Sequence, residues 1–448
     1  MKNRYASKEE IKKEANIKDK NKHKHNDLKN ILMNNKLAII IYIILAGLFL
    51  GNCFIPYFSI GAFAIVLISV VFCDIKDSLS FIFFSIPFCC LWLPFSVIFL
   101  MLCLVAYLIK IFIYNYKLGK LKFSKQLIIA LSFLIVFLLF PFKNFYNQYL
   151  VIKLLAMLSI LILIYLCLNN KEVLRINKNL LVLSIALAIA SAYFCLFKNC
   201  SEYLVNALQS YSFSSRGFRF TALFTNTNLL ALICGLGIGI LAFYFTTNNY
   251  SFGELFSLLI LTVLGLLTFS KTFLIVCCFE LLIVLVFAII HIKSGGWKLL
   301  ITIVLSISVV LLANHDCLDV LYYRFVGSNG FDHLQSKSFE DIMNVITTGR
   351  YDLWVSYFND MISNPLIIFF GKGLGAPALQ NTLSPHNLYI SLIYQVGLVG
   401  VGLIIWVVVC LIKDAVKISN FAFNKYSIIS MLAFALLFVV EDLIFYIY

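Results

Sequence analysis

The chain has 448 residues, 62% of them hydrophobic and only 12% charged, with a mean hydropathy of +0.96. A soluble chain of that length would carry about 25% charged residues to cover two or three domains with water-compatible surface, so that class is excluded. The formal charge of +14 does not make this a nucleic-acid binder. Its basic residues sit in short segments between apolar runs rather than along one stripe.

Residues 1–36 hold eleven Lys and Arg against five Asp and Glu and show no apolar period. They read as a solvated cytoplasmic tail, with contact to anionic lipid headgroups as the lesser reading, and are too long and polar for a signal-peptide leader. Apolar runs then follow at 37–57, 60–73, 79–93, 95–114, 126–141, 150–168 and 180–197. Six more lie at 222–245, 254–269, 272–291, 298–313, 387–411 and 426–448. About 20 apolar residues cross a bilayer core of roughly 30 Å. The expected fold is therefore an all-α polytopic membrane protein of about 12–13 transmembrane helices. The third run is short and contains Pro87, and a re-entrant piece there would lower the count to twelve.

Lys110, Lys117, Lys120, Lys122 and Lys125 cluster in one connection, and Lys171, Arg175 and Lys178 in another. His291, Lys293 and Lys298 mark a third, and Lys413, Lys417 and Lys425 a fourth. With thirteen spans and the tail inside, all four fall in the cytoplasm, as the positive-inside rule requires. The chain then divides into the tail (1–36), the N-terminal membrane helices (37–313), one large external loop (314–386) and the C-terminal membrane helices (387–448). A smaller external segment covers 198–221. The large loop, about 70 residues long, is expected to fold over the membrane surface.

Thirteen cysteines are scattered, mostly inside apolar runs, with no CxxC pair and no zinc-like spacing; they read as small packing residues, and no metal is expected.

Arg216, Arg219, Lys271, Arg324, Arg350 and Lys372 break the orientation rule by mapping to the outer side. A guanidinium presents a planar fork of donors suited to phosphate oxygens. Such a set at the outer mouth fits an anionic ligand of the lipid diphosphate kind. Arg350 follows Thr347, Thr348 and Gly349 and opens a stretch with Leu353, Trp354, Tyr357, Phe358, Met361 and Ile362 on one face. That spacing predicts an amphipathic helix with a threonine cap, stopped at Asn364-Pro365. Gly371-Lys372-Gly373-Leu374-Gly375 would allow tight backbone turns and offer N–H groups to an anion. In Ser384-Pro385-His386-Asn387, Ser384 fits a helix cap and Pro385 the first helical position, which puts His386 in the first turn. The positive helix end would keep its imidazole neutral and able to accept a proton. Asn226 and Asn228 open an apolar run and suggest a polar pocket. Glu441-Asp442 read as the acidic residues placed within a span.

The ordered set Gly349-Arg350-x-x-Leu353-Trp354, Asn364-Pro365, Gly371-x-Gly373-x-Gly375, His386-Asn387-x-Tyr389 and Gly397-x-x-Gly400 resembles the O-antigen ligase/polymerase family. Asn226-x-Asn228 and Ser270-Lys271 look like two weaker family patterns, the second usually carrying Arg where Lys271 stands. The likeness covers roughly 210–402. It implies a C-type glycosyltransferase fold working without metal, nucleotide or other cofactor, in the bacterial inner membrane with its site facing the periplasm. The implied donor is a glycan on undecaprenyl diphosphate. The implied acceptor is lipid A-core for a ligase or a second lipid-linked glycan for a polymerase. The His386–Gly397 spacing is similar to the ligase pattern. By the same resemblance His386 is the base or orienting group, Arg350 the loop arginine, and Arg216 or Arg219 a diphosphate ligand. A transporter or flippase without chemistry and a structural scaffold are the competing classes; the first would place charges near the midplane of several spans.

Overall fold

The computed structural model describes residues 36–52, 54–55, 57–92, 95–119, 124–139, 176–197, 220, 222–224, 227–247, 251–292, 295–313, 338–347, 350–373, 376, 385 and 387–419. Among these residues all regular structure is helical. That is the economical solution in lipid, where a helix satisfies its own backbone hydrogen bonds.

The helices run in chain order as α1 (Lys36–Gly51), α2 (Phe58–Phe72), α3 (Ile75–Ser85), α4 (Phe95–Lys117) and α5 (Lys125–Leu139). After a gap come α6 (Ile176–Phe197), α7 (Thr227–Thr247), α8 (Phe252–Leu267), α9 (Lys271–Ile290) and α10 (Trp297–Ala313). The last group is α11 (Phe339–Thr347), α12 (Tyr351–Ser363), α13 (Pro365–Phe370) and α14 (Leu388–Ser419). Windows within α4, α6, α9 and α14 (Ile98–Lys117, Asn177–Phe194, Phe273–Ile290 and Leu388–Leu411) are long and apolar enough to cross a membrane, and α1, α2, α5, α7, α8 and α10 are shorter apolar helices. Their outward faces are as greasy as their inward ones: Val304 is 63% and Leu312 85% exposed. Apolar surface on that scale needs a hydrocarbon environment. The chain is an all-α membrane protein.

Pro87 does not end the third run. It changes the helix type, so that α3 passes into a 3₁₀ segment over Ile86–Trp92. A proline lacks the N–H that the α ladder needs there, whereas a tighter turn re-pairs the chain. At 1.5 and 2.0 Å per residue the two pieces together reach about 30 Å. Inside, aromatic rings fill the first half of the core: Phe49 stacks on Phe88 with centroids 4.2 Å apart and meets Phe63 edge-on at 5.3 Å.

Polar side chains fasten one end of the bundle. Lys110 Nζ donates to Val70 O (2.8 Å), Val71 O (3.1 Å), Ser78 Oγ (2.9 Å) and Cys73 O, tying the end of α4 to the α2–α3 turn. Lys178 pairs with Asp77, joining the starts of α6 and α3. Asn177 Nδ2 donates to Glu254 Oε1 at 2.5 Å, joining α6 to α8. Ring contact between Phe133 and Trp406, with Phe137 against Gly400, sets α5 antiparallel to α14. The starts of α7, α9 and α14 consequently lie at the end away from Lys110 and Lys178. A pocket of about 570 Å³, lined among others by Leu37, Asp74, Lys110, Tyr114 and Lys117, opens at the basic end.

Candidate functional site

The far end of the bundle carries the sequence-predicted residues that fall within the described chain. Asn228 is the second residue of α7 and Lys271 the first of α9, both half-buried. The segments leading to them are packed inside. Ala222, Leu223, Phe224, Phe269 and Ser270 are buried, and Phe220 N donates to Leu267 O at 3.1 Å. Two residues there hold left-handed backbone without being glycine, Ala222 (φ 50) and Phe269 (φ 47). Each costs about 1–3 kcal/mol, which the surrounding packing must offset. Such strain gathers where a chain must aim particular side chains, here the first turns of α7 and α9. Arg216, Arg219, Asn226 and His386 lie outside the described residues, as do Ser384, Arg324, Glu441 and Asp442.

Arg350 occupies the cap position of α12 and is half-buried. Thr347 Oγ1 accepts from Tyr351 N at 3.0 Å, and Asn344 Oδ1 from Asp352 N at 3.2 Å, so α11 supplies the cap that the threonine pattern predicts. The helix stops at Asn364, with Pro365 opening α13, as expected. Its packed face is narrower than the sequence suggests. Tyr357 and Met361 are buried, Leu353 and Trp354 pack against the same cluster, and Phe358 and Ile362 point outward.

Trp354 Nε1 donates to Pro385 O at 2.7 Å. This bond holds α12 against the residue that precedes His386. Arg350 sits four positions before Trp354 on the same helical face. The start of α14 differs from the expected one. Asn387 Oδ1 accepts from Tyr389 N (3.0 Å) and Ile390 N (3.2 Å), so Asn387 is the cap and His386 precedes it. Ser384 was the competing candidate, but the Pro385 carbonyl is drawn to Trp354 and the helix begins only at Leu388. The first-turn argument for His386 therefore loses its geometry.

The glycine stretch also serves a purpose other than the expected one. α14 is interrupted at Gly397, whose φ of 66° and ψ of 176° are not helical. An interrupted helix leaves carbonyls over. Lys372 N donates to Tyr394 O (2.8 Å) and Gly373 N to Gln395 O (3.0 Å). These two N–H groups are thus consumed by α14 instead of being offered to an anion. The approach requires glycine on both sides: a Cβ on Gly371 would overlap Gln395 O, and one on Gly397 would overlap Phe369 O.

Lys372 itself, expected at an anionic ligand, is half-buried and clasped by other groups of the chain. Its Nζ donates to Asp360 Oδ2 (2.7 Å) and Tyr394 Oη (2.9 Å), and Tyr394 donates to the same carboxylate oxygen at 2.6 Å. The Lys372 ammonium, and after it the Tyr394 hydroxyl, hold the Asp360 carboxyl below the usual carboxylate range. Tyr394 also meets Tyr357 edge-on at 4.6 Å.

Sequence reading missed Asp360, half-exposed on α12, and the polar residues Ser391 and Gln395, which continue from Asn387 as a buried stripe, with Gln395 Nε2 donating to Ser391 Oγ at 2.7 Å. The signal was legible as three polar residues spaced by four in an apolar run. Glu280 was missed as well. It lies within the 272–291 run, is wholly buried in α9, and neither carboxylate oxygen has a hydrogen-bond partner among the described residues. Glu441-Asp442 are therefore not the only acidic residues within the apolar runs. Among the described residues no group of His, Cys, Asp and Glu is arranged to hold a metal ion.

No protein-family model, curated protein or solved structure matches this chain.

Proposed function

We propose that this chain is a glycosyltransferase of the bacterial cytoplasmic membrane, acting at the outer face on a glycan carried by undecaprenyl diphosphate. The observation that carries the reading is the Trp354–Pro385 bond. It brings the first turn of α12, headed by Arg350, up to the residue beside His386, at the end where Asn228 and Lys271 also begin their helices. In this reading the basic end faces the cytoplasm, the chain crosses the bilayer 12–13 times, and 314–386 lies outside.

His386 takes the proton of an acceptor hydroxyl as its oxygen bonds to the anomeric carbon. The bond from that carbon to the diphosphate breaks, and the electron pair leaves on the diphosphate oxygen. Arg350, Lys271 and either Arg216 or Arg219 stabilise the charge that grows there, with Asn226 and Asn228 lining the mouth. Lys372 acts through its clasp on Asp360. Cleavage of the glycosyl diphosphate drives transfer, so no cofactor is required. The acceptor favoured is lipid A-core, which makes the enzyme an O-antigen ligase; a second lipid-linked glycan would make it a polymerase.

Reconstitution in vesicles with a lipid-linked oligosaccharide and both acceptors tests this. A single shifted band identifies ligation, a ladder polymerisation, and His386→Ala should abolish either. Full transfer by His386→Ala would remove His386 from its role. Glu280, buried in α9 with no hydrogen-bond partner among the described residues, favours one alternative, a lipid-linked glycan transporter. Movement of donor across the bilayer with no transfer to any acceptor would decide for it.

A further inference from the structure

The segment expected to fold over the membrane surface does not stay above α14. Its α13, Pro-Leu-Ile-Ile-Phe-Phe, leads into Lys372 and Gly373, whose backbone pairs with Tyr394 and Gln395. Those residues lie six and seven positions into the apolar window Leu388–Leu411. At 1.5 Å per residue that is about 10 Å down a span that crosses a core of roughly 30 Å. Three features agree with such a depth. The N–H groups of Lys372 and Gly373 are satisfied by protein, which hydrocarbon demands. Only Ile367 of α13 is buried, under α14, while Leu366 is 66% and Phe369 52% exposed. Finally, the exposed Leu398 and Val399 of α14 follow directly on the break at Gly397 that receives this segment, so both the limb and the span just beyond the crossing carry uncovered apolar side chains.

We propose that α13, with the end of α12 that bears Ile362, is a re-entrant limb whose exposed apolar residues rest in the acyl chains of the outer leaflet. The limb anchors α12, and through it Arg350 and the Trp354 contact, at a set height relative to the bilayer. The inference rests on the proposed orientation, with α14 crossing a membrane from its Leu388 end at the outer face; it stands whether or not the chain transfers sugars.

An environment-sensitive fluorescent amino acid placed at Leu366 or Phe369 in the full-length protein, reconstituted in phosphatidylcholine vesicles, tests it. Two references calibrate the readout, Leu398 on the span and the exposed Glu340 on α11. Nitroxide groups on the lipid acyl chains should quench Leu366 and Phe369 positions as strongly as the Leu398 position, and aqueous iodide should quench only Glu340. Quenching of Leu366 and Phe369 by iodide would place the limb in water and overturn the proposal. Protection from both quenchers would overturn it too, because the face would then be covered by protein.

Discussion

The two ends of the bundle are fastened by different chemistry. At the basic end, side chains do it: Lys110 gathers three carbonyls and a hydroxyl, Lys178 holds Asp77, and Asn177 holds Glu254. At the far end backbone-to-backbone bonds, Phe220 to Leu267 and Lys372–Gly373 to Tyr394–Gln395, join the Lys372–Asp360 and Trp354–Pro385 contacts, and glycines and two strained residues stand beside them. The lesson concerns what each end tolerates. A side-chain fastening is sensitive to losing one charge of a pair, whereas a backbone fastening is sensitive to an added methyl and indifferent to charge.

The largest effect is expected where a methyl enters the backbone crossing. Gly397→Ala combines a positive φ with overlap onto Phe369 O, and should cost about 3 kcal/mol, read as a lower unfolding temperature in detergent. Gly373→Ala has a φ of +108 but nothing within 4 Å of its Cβ, so its penalty should be clearly smaller; equal losses would mean that strain, not close approach, sets the cost. Next is the basic end. Asp77→Ala strands the Lys178 ammonium and should cost about 2–3 kcal/mol, much of it recovered when Lys178→Met is added. Additivity of the two changes would show that the pair fastens nothing.

Smaller still is the effect of Trp354→Phe, which keeps the ring and deletes the bond to Pro385. If that bond aligns Arg350 with His386, turnover in the vesicle assay should fall about tenfold with little change in unfolding temperature. A purely structural tryptophan would lower the temperature and leave turnover alone. The smallest concerns the Asp360 clasp. Asp360 titrates lower in the folded protein than in the unfolded chain, so its contribution is present above the unfolded value of about 3.9 and is lost as pH falls through the folded value. The pair is partly exposed, which limits it to about 0.5–1 kcal/mol. Asp360→Asn should therefore lower the unfolding temperature slightly at neutral pH, and the difference should vanish in strong acid.

Local pattern was enough to read the ends of α12, because a threonine cap and an Asn-Pro stop act within a few residues of themselves. It was also enough to place the apolar helices among the described residues, since their outward faces need no partner but lipid; the runs at 150–168 and 426–448 lie outside those residues. The same kind of reasoning misplaced the start of α14 at Ser384, whereas Asn387 caps it, next to a Pro385 carbonyl that accepts from Trp354, thirty-one residues away in sequence. It assigned Lys372 to a ligand because Asp360 lies twelve residues off on another helix. Glu280 was passed over inside a run whose mean hydropathy hides one carboxylate.

Composition and periodicity alone determined that this is a helical membrane protein and, among the described residues, where most of its helices begin in outline, because both follow from the cost of unpaired backbone in hydrocarbon. Tertiary structure alone decided that the glycines of 371–373 close a broken helix rather than cradle an anion. It also decided that Lys372 is spent on Asp360 and that α13 descends beside α14. Those outcomes depend on which carbonyls and carboxylates arrive from distant parts of the chain, and spacing along one segment carries no record of them.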